Sequence, residues 1–252
     1  MSPLPPLVVR LVKGSLAFYP ILSLLIWLGS PLGLLGAMYL ALLVELLPAL
    51  ALAQLPLVDL DEPLPREPVY ISSSVLILAM GGLGLAIGGV ELGWEALGIV
   101  SVRWDVWFPW TVGLCLAAFV VVLAFHILRK SFGLREAPFL AQLLPKTPRE
   151  KLLFFFLSLS AGAGEELAYR GFLIPALASS LGSVWAGALV SSVFFGLLHA
   201  YQGWLGIART AVLGFVLAAS FILSGTLWPA ILAHAILDVM VGLVFGDALV
   251  KE

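Results

Sequence analysis

Three ionisable residues interrupt a long apolar segment in the second half of the chain. Glu165, Glu166 and Arg170 lie within six positions, and a charged group at the bilayer centre costs about 2.5–3.5 kcal/mol on insertion scales. Glu166 and Arg170 are four apart on one helix face, with the glutamate on the favourable N-terminal side. Glu165 is rotated by about 100° and needs another donor. We therefore predict a structural role for the Glu166–Arg170 pair and a chemical role for Glu165.

Two histidines and an aspartate follow on later apolar segments. His199 comes three residues after Gly196, and a glycine there permits close helix approach. A histidine beside a glutamate can hold a water, and one of the two can take its proton. His234 and Asp238 are again four apart and can orient each other or polarise a carbonyl. A Glu–Arg pair or a single histidine is often only structural, so the combination on three segments favours function.

The composition is that of a polytopic membrane protein. The 252 residues are 62% hydrophobic and 11% charged, against about 45–50% apolar and about 25% charged in soluble domains. No basic run with interleaved aromatic residues indicates a nucleic-acid partner. Cys115 is the only cysteine, which excludes an intrachain disulfide and a cysteine-rich zinc site. With three histidines in total, a histidine-rich metal cluster is not expected.

Apolar runs long enough to cross a bilayer recur along the chain, since a span needs about 20 residues. We predict an all-α transmembrane bundle of about eight spans with a polar active-site cavity between helices. The first run follows Arg10 and Lys13, as in a signal peptide, but lacks an A-x-A cleavage pattern, so we expect a retained span. The predicted spans are 11–28, 32–55, 69–90, 108–128, 152–173, 183–201, 204–223 and 226–246.

The most basic loop, residues 129–151, is predicted to be cytoplasmic by the positive-inside rule. Eight spans then place both termini in the cytoplasm, and we expect a multi-pass protein of the bacterial plasma membrane. Within this loop, Thr147, Pro148 and Glu150 have the pattern of a capping box, so the fifth helix should begin at the cytosolic interface. In the second span, Glu45 has no evident partner.

The predicted depths of two site residues disagree. Counted from residue 152, Glu165 lies about 20 Å into its span, whereas His199 lies near the inner end of the span 183–201. If these residues share a water, their depths should agree. Either the fifth helix begins well below the membrane, or the sixth continues past Tyr201.

The three motifs together resemble the CPBP family of CAAX-processing and bacteriocin-processing intramembrane endopeptidases, also called the Abi family. The resemblance covers roughly residues 108–246, and residues 1–107 carry no signature. We therefore divide the chain into an N-terminal transmembrane region, 1–107, and a CPBP-like protease core, 108–252. The motif residues are Glu165, Glu166 and Arg170 with Gly171 and Phe172 (EExxxR), Phe195 and His199 (FxxxH), and His234 and Asp238 (HxxxN or HxxxD).

The resemblance implies hydrolysis of peptide bonds in or beside the membrane. Glu165 and His199 would activate the attacking water, Glu166 and Arg170 would help to hold the site, and His234 with residue 238 would stabilise the oxyanion. An ionised Asp238 cannot donate to an oxyanion, so it is either protonated or orients His234. We favour the second alternative, because aspartate is an ordinary partner of an imidazole N–H.

The resemblance leaves the cofactor and the substrate open. Family members have often been called metalloproteases, yet the chain has no HExxH. We favour a metal-free glutamate mechanism, with zinc held by histidines and carboxylates as the alternative. CAAX-like proteins, leader peptides and membrane-protein segments are candidate substrates. The competing functions are an ion-coupled transporter and a non-catalytic immunity or partner protein that retains the site. Oligomeric state is not predicted.

Overall fold

The computed structural model describes residues 5–57, 63–101, 103–134 and 137–246. Every regular element of these ranges is helical, as the composition predicts. Seven helices within them are long and apolar enough to cross a membrane, and an eighth is shorter. The eight helices are α1 (Pro6–Gly29), α2 (Leu34–Leu57), α3 (Arg66–Glu91), α4 (Trp104–Ser131), α5 (Pro148–Leu181), α6 (Val184–Leu198), α7 (Ala200–Ser224) and α8 (Trp228–Phe245).

Each predicted span overlaps one of these helices, but the fifth helix is longer than expected and the sixth is shorter. The 15 residues of α6 measure about 22 Å, less than the roughly 30 Å of a hydrocarbon core. The division at residue 107 stays a prediction, and it falls inside α4. Both chain ends and Arg135 in the basic loop lie outside the described residues, so the predicted orientation also stays a prediction.

The start of α5 is fixed by the capping box predicted from the sequence. The Glu150 N–H donates to Thr147 Oγ1 at 3.1 Å, and the Thr147 N–H donates to the Glu150 carboxylate at 3.1 Å. From Pro148, α5 continues for 34 residues, about 51 Å. This length exceeds the roughly 30 Å of a hydrocarbon core, as expected of a helix that begins below the membrane, and the depth of its start stays a prediction.

The turn between α5 and α6 resolves the depth disagreement between the site residues. Gly182 ends α5 in the left-handed conformation, with φ +68°. Glu165 precedes the end of α5 by about 24 Å, and His199 follows the start of α6 by about 22 Å. The two residues therefore lie at similar depth when counted from this shared turn. The alternative that the sixth helix continues past Tyr201 is wrong, because α6 ends at Leu198 and a short 3₁₀ turn follows.

Glycines bring the helices around the site into close contact. A Cβ on Gly81 of α3 would lie 2.5 Å from the Gly164 Cα of α5, and one on Gly162 would lie 2.7 Å from the Ile231 carbonyl of α8. The predicted close approach at Gly196 is also present, since a Cβ there would lie 2.7 Å from the Ile207 carbonyl of α7. Small residues allow backbones to approach in this way, and the packing positions α3 and α8 against α5 and α7 against α6.

Two of the spans contain a π-helical turn before a proline. The turn Leu42–Leu46 lies in α2, ahead of Pro48, and the turn Leu167–Leu173 lies in α5, ahead of Pro175. A proline has no N–H and disturbs the preceding turn of a helix. Single π turns occur often at functional sites. Glu45 lies in the first of these turns, and its partner, not evident in the sequence, is Ser15 of α1, whose hydroxyl donates to Glu45 Oε1 at 2.5 Å.

Candidate active site

A buried ion pair joins the middle of α5 to two neighbouring helices. Arg170 Nη1 donates to Glu166 Oε1 at 2.7 Å, which is the i,i+4 contact predicted from the sequence. The same oxygen accepts from His234 Nδ1 of α8 at 2.8 Å. Arg170 Nη2 donates to the Gly214 carbonyl of α7 at 3.0 Å. Because Glu166 and Arg170 are almost wholly buried, each charge depends on the other and on these bonds.

The aromatic ring of Phe195 lies at the centre of this arrangement. The Arg170 guanidinium carbon is 4.2 Å from the ring centroid, within the range of a cation–π interaction. The rings of Tyr169, His199 and His234 lie 5.3, 4.9 and 6.0 Å away between centroids. Sequence analysis identified Phe195 only as a motif letter. Its contact with Arg170 was missed, because it joins residues of two different helices.

Glu165 is the carboxylate left over, as the helical spacing predicts. Its Oε2 is buried and has no hydrogen-bond partner among the described residues. A basic group within 4 Å of that oxygen is His234, whose Nε2 lies 3.8 Å away. Glu166 also has an unbonded Oε2, but its Oε1 already accepts two bonds. The adjacent glutamates therefore differ: one is anchored and the other is available.

His199 lies directly after the last residue of α6, and its backbone contact determines which ring nitrogen is available. Nδ1 lies 2.9 Å from the Phe195 carbonyl, and since a carbonyl only accepts, Nδ1 carries the proton. In the neutral ring Nε2 is then an acceptor. The ring also packs 5.9 Å from that of Tyr201, a neighbour that the motifs do not mark. The water shared with Glu165 stays a prediction.

The hydrogen-bond partner of His234 is Glu166. Asp238 Oδ2 lies 3.7 Å from His234 Nε2, beyond hydrogen-bond distance, and its side chain is 40% exposed. The spacing of His234 and Asp238 on one helix suggested that Asp238 orients the imidazole, but in the structure Nδ1 donates to Glu166 of α5. Glu166 and His234 are 68 positions apart, so no spacing rule within one helix would have found this contact.

The six predicted site residues thus occupy two helices, α5 and α8, and the turn after α6. Five of them are linked by contacts shorter than 4 Å: Glu165, Glu166, Arg170, His234 and Asp238. His199 is connected to them through the Phe195 ring. The arrangement provides, among the described residues, unbonded Oε2 atoms on Glu165 and Glu166 and two imidazole rings whose Nδ1 atoms are already occupied. Such groups can exchange protons with a water or a leaving group.

The donor atoms of the site determine whether it could hold a metal ion. Among the residues that the structure describes, no group of three or more His, Cys, Asp or Glu side chains is arranged to hold a metal ion. A catalytic zinc site usually has three protein ligands. The donor set that the structure describes therefore does not fit a catalytic zinc ion.

One comparison with known proteins gives a match. Residues 147–240 match the family model described as type II CAAX prenyl endopeptidase, Rce1-like. The matched segment begins at the capping threonine of α5 and includes all six predicted site residues. Comparisons with the curated proteins and with the solved structures give no match.

Proposed function

Since residues 147–240 belong to the Rce1-like family of type II CAAX prenyl endopeptidases, consistent with the CPBP resemblance, we propose that a Glu/His-activated water is the nucleophile of this intramembrane protease. Membrane-associated, CAAX-like or leader-peptide substrates suit a site of this kind. The observation that carries the proposal is Glu165, whose buried Oε2 has no hydrogen bond among the described residues although Glu166 beside it is anchored.

In the proposed mechanism Glu165 takes a proton from a water as that water attacks the carbonyl carbon of the scissile peptide. His199 is the second group on this water, accepting through Nε2 because Nδ1 is bonded to the Phe195 carbonyl. The attack gives a tetrahedral oxyanion. When the C–N bond breaks, Glu165 returns the proton to the departing nitrogen, so that one base serves both halves of the reaction.

His234 is the proposed donor to the oxyanion. Its Nδ1 is occupied by Glu166, so a proton on Nε2 points toward the region between Glu165 and Asp238. A donor that is held in place before reaction stabilises the oxyanion without reorganising. Glu166 compensates the charge of the imidazolium, and Arg170 keeps Glu166 in place. Asp238 is the proposed outer partner of the same ring.

We further propose a cytoplasmic location for the chain ends and for the basic segment between α4 and α5, in a bacterial plasma membrane. The basic residues of this segment support that orientation. Near the start of α5, Arg149 pairs with Glu67 at 3.2 Å and Arg66 pairs with Glu150 at 3.6 Å. The Arg66–Glu150 pair is mostly buried, whereas the Arg149 side chain is 76% exposed, and an exposed pair suits an aqueous interface better than a lipid interior.

The decisive experiment replaces Glu165 in the purified, detergent-solubilised protein. We expect Glu165→Gln and Glu165→Ala to lower cleavage of a peptide library by at least about 100-fold, because a general base contributes roughly 10²–10⁴-fold. Glu95→Gln, in the exposed loop between α3 and α4, is the matched control and should cleave like the parent protein. If both Glu165 variants cleave as fast as the control, the catalytic assignment is wrong.

Treatment with a chelator tests the metal-free mechanism. We expect the parent protein to keep its cleavage rate after incubation with a strong chelator and removal of the chelated ions, because the proposed base is a carboxylate. Loss of cleavage that zinc restores would contradict the proposal and favour zinc-assisted hydrolysis.

A further inference from the structure

The π turn of α2 leaves a backbone carbonyl without a helical donor. The N–H of Leu47 bonds to the Leu42 carbonyl, and the next residue, Pro48, has no N–H to offer. In a helix, the Leu43 carbonyl would accept from the N–H of residue 47 or residue 48. The first bonds elsewhere and the second does not exist, so this carbonyl has neither donor. An unpaired carbonyl in a buried, apolar position is costly, and Leu43 is fully buried. A donor from outside α2 is therefore needed.

That donor is a side chain of the active-site turn. The hydroxyl of Tyr169, in the π turn of α5, donates to the Leu43 carbonyl at 3.3 Å. Tyr169 is itself fully buried, and its own carbonyl accepts from Ser191 Oγ of α6 at 2.8 Å. The π turn that contains Arg170 is consequently bonded to α2 on one side and to α6 on the other.

The position of this turn determines the geometry of the ion pair. Glu166 is the last residue of the regular segment Pro148–Glu166, whereas Arg170 lies inside the π turn. Any change in the shape of the turn moves the Arg170 guanidinium relative to Glu166 and to the Phe195 ring, 4.2 Å away. Through Glu166, such a change reaches His234.

We infer that Tyr169 is a positioning residue, through which α2, outside the segment that matches the protease family, holds the turn that carries Arg170. This inference rests on the proposed function. It assigns the N-terminal helices a part in the reaction, although they contribute no side chain to the site. It also explains a tyrosine hydroxyl that the mechanism does not use.

The test removes only the hydroxyl, with Tyr169→Phe, and keeps the ring that packs against Phe195. We expect kcat to fall about three- to tenfold, the equivalent of one net hydrogen bond, with KM unchanged. The pH profile of kcat should also be displaced, because the Glu166–His234 pair is disturbed. Tyr70→Phe is the matched control: Tyr70 is equally buried, and its hydroxyl donates to the Leu143 carbonyl at 2.6 Å, beside the start of α5.

A second variant acts on the acceptor and leaves Tyr169 in place. Pro48→Ala restores an N–H at the position that deprives Leu43 of a donor. We expect Tyr169→Phe to have a smaller effect on kcat in this background than in the parent, since the two changes act on one bond. Effects that simply multiply would overturn the inference. So would a Tyr169→Phe protein whose kcat and pH profile match those of the parent, whatever its melting temperature.

Hydrogen–deuterium exchange separates this inference from the proposed function. In Tyr169→Phe we expect faster exchange in residues 167–173 than in Tyr70→Phe, and this measurement needs no substrate. A parent protein that cleaves no peptide would count against the proposed function alone. Unchanged exchange in residues 167–173 would count against the role of Tyr169.

Discussion

The two π turns that precede a proline each have a glutamate in or beside them, but the glutamates have different surroundings. Glu45 in α2 accepts one hydrogen bond, from the neutral hydroxyl of Ser15. Glu166, at the edge of the turn in α5, accepts from the Arg170 guanidinium and from the His234 ring. The first contact joins α2 to a peripheral helix. The second joins α5 to α8, within a network of charges.

The difference shows that a carboxylate in a membrane-spanning helix does not by itself indicate catalysis. Both turns precede a proline, so the backbone irregularity has the same local cause. What distinguishes the α5 turn is that its side chains meet groups from other helices that can carry charge or protons. The α1 helix is far less buried than α5. It therefore offers few such partners.

The largest effect is expected when the charged network of α5 is broken. Glu166→Gln keeps the size of the side chain but leaves the buried Arg170 charge without its counter-ion. Removing one member of a buried pair costs about 3–5 kcal/mol, so we expect a strongly lowered melting temperature and cleavage reduced at least 100-fold. The measurements are thermal unfolding in detergent and peptide cleavage.

The control for this change removes both charges. A Glu166→Gln, Arg170→Gln double variant should recover part of the lost stability, because no uncompensated charge remains, and should stay inactive. A double variant less stable than Glu166→Gln would show that the pair is not the source of the effect.

A smaller effect is expected where α3 crosses α5. A Cβ on Gly81 would lie 2.5 Å from the Gly164 Cα, whereas one on the adjacent Gly82 would meet nothing within 4 Å. Gly81→Ala should therefore separate the two helices at a cost of about 1–3 kcal/mol and lower cleavage moderately. Gly82→Ala is the matched control and should be neutral or slightly stabilising, because alanine favours a helix. Equal melting temperatures for the two variants would contradict the close crossing.

Much of the fold could be predicted because its signals are local. The apolar runs located all eight helices, the capping box located the start of α5, and the four-residue spacing of Glu166 and Arg170 predicted their contact. The predicted end of the fifth span, at 173, was too early because hydropathy does not distinguish a π turn from the end of a helix. The sixth span was predicted too long, because apolar residues continue beyond Leu198 although the helix does not.

The contacts of the site could be predicted only within single helices. Spacing suggested Asp238 as the partner of His234, since both lie on α8. Three contacts join different helices and were not predicted. They are the bond from His234 to Glu166, the contact of Arg170 with Phe195 and the bond from Tyr169 to Leu43. Such pairs depend on how the helices cross, and the spacing of residues in a single sequence does not show where two helices cross.

The smallest effect is expected for the corresponding glutamate-to-glutamine substitution in α2. Glu45→Gln retains a carbonyl oxygen that can still accept from Ser15, and it leaves no cation without a partner. Since a neutral hydrogen bond contributes about 0.5–1.5 kcal/mol and the acceptor is kept, we expect a change in stability below about 1 kcal/mol and unchanged cleavage. Thermal unfolding and the peptide assay used for Glu166→Gln give the comparison directly. A loss of cleavage as large as that of Glu166→Gln would mean that the α2 carboxylate takes part in the reaction. The distinction between Glu45, with its single neutral bond, and the charged network of Glu166 would then not hold.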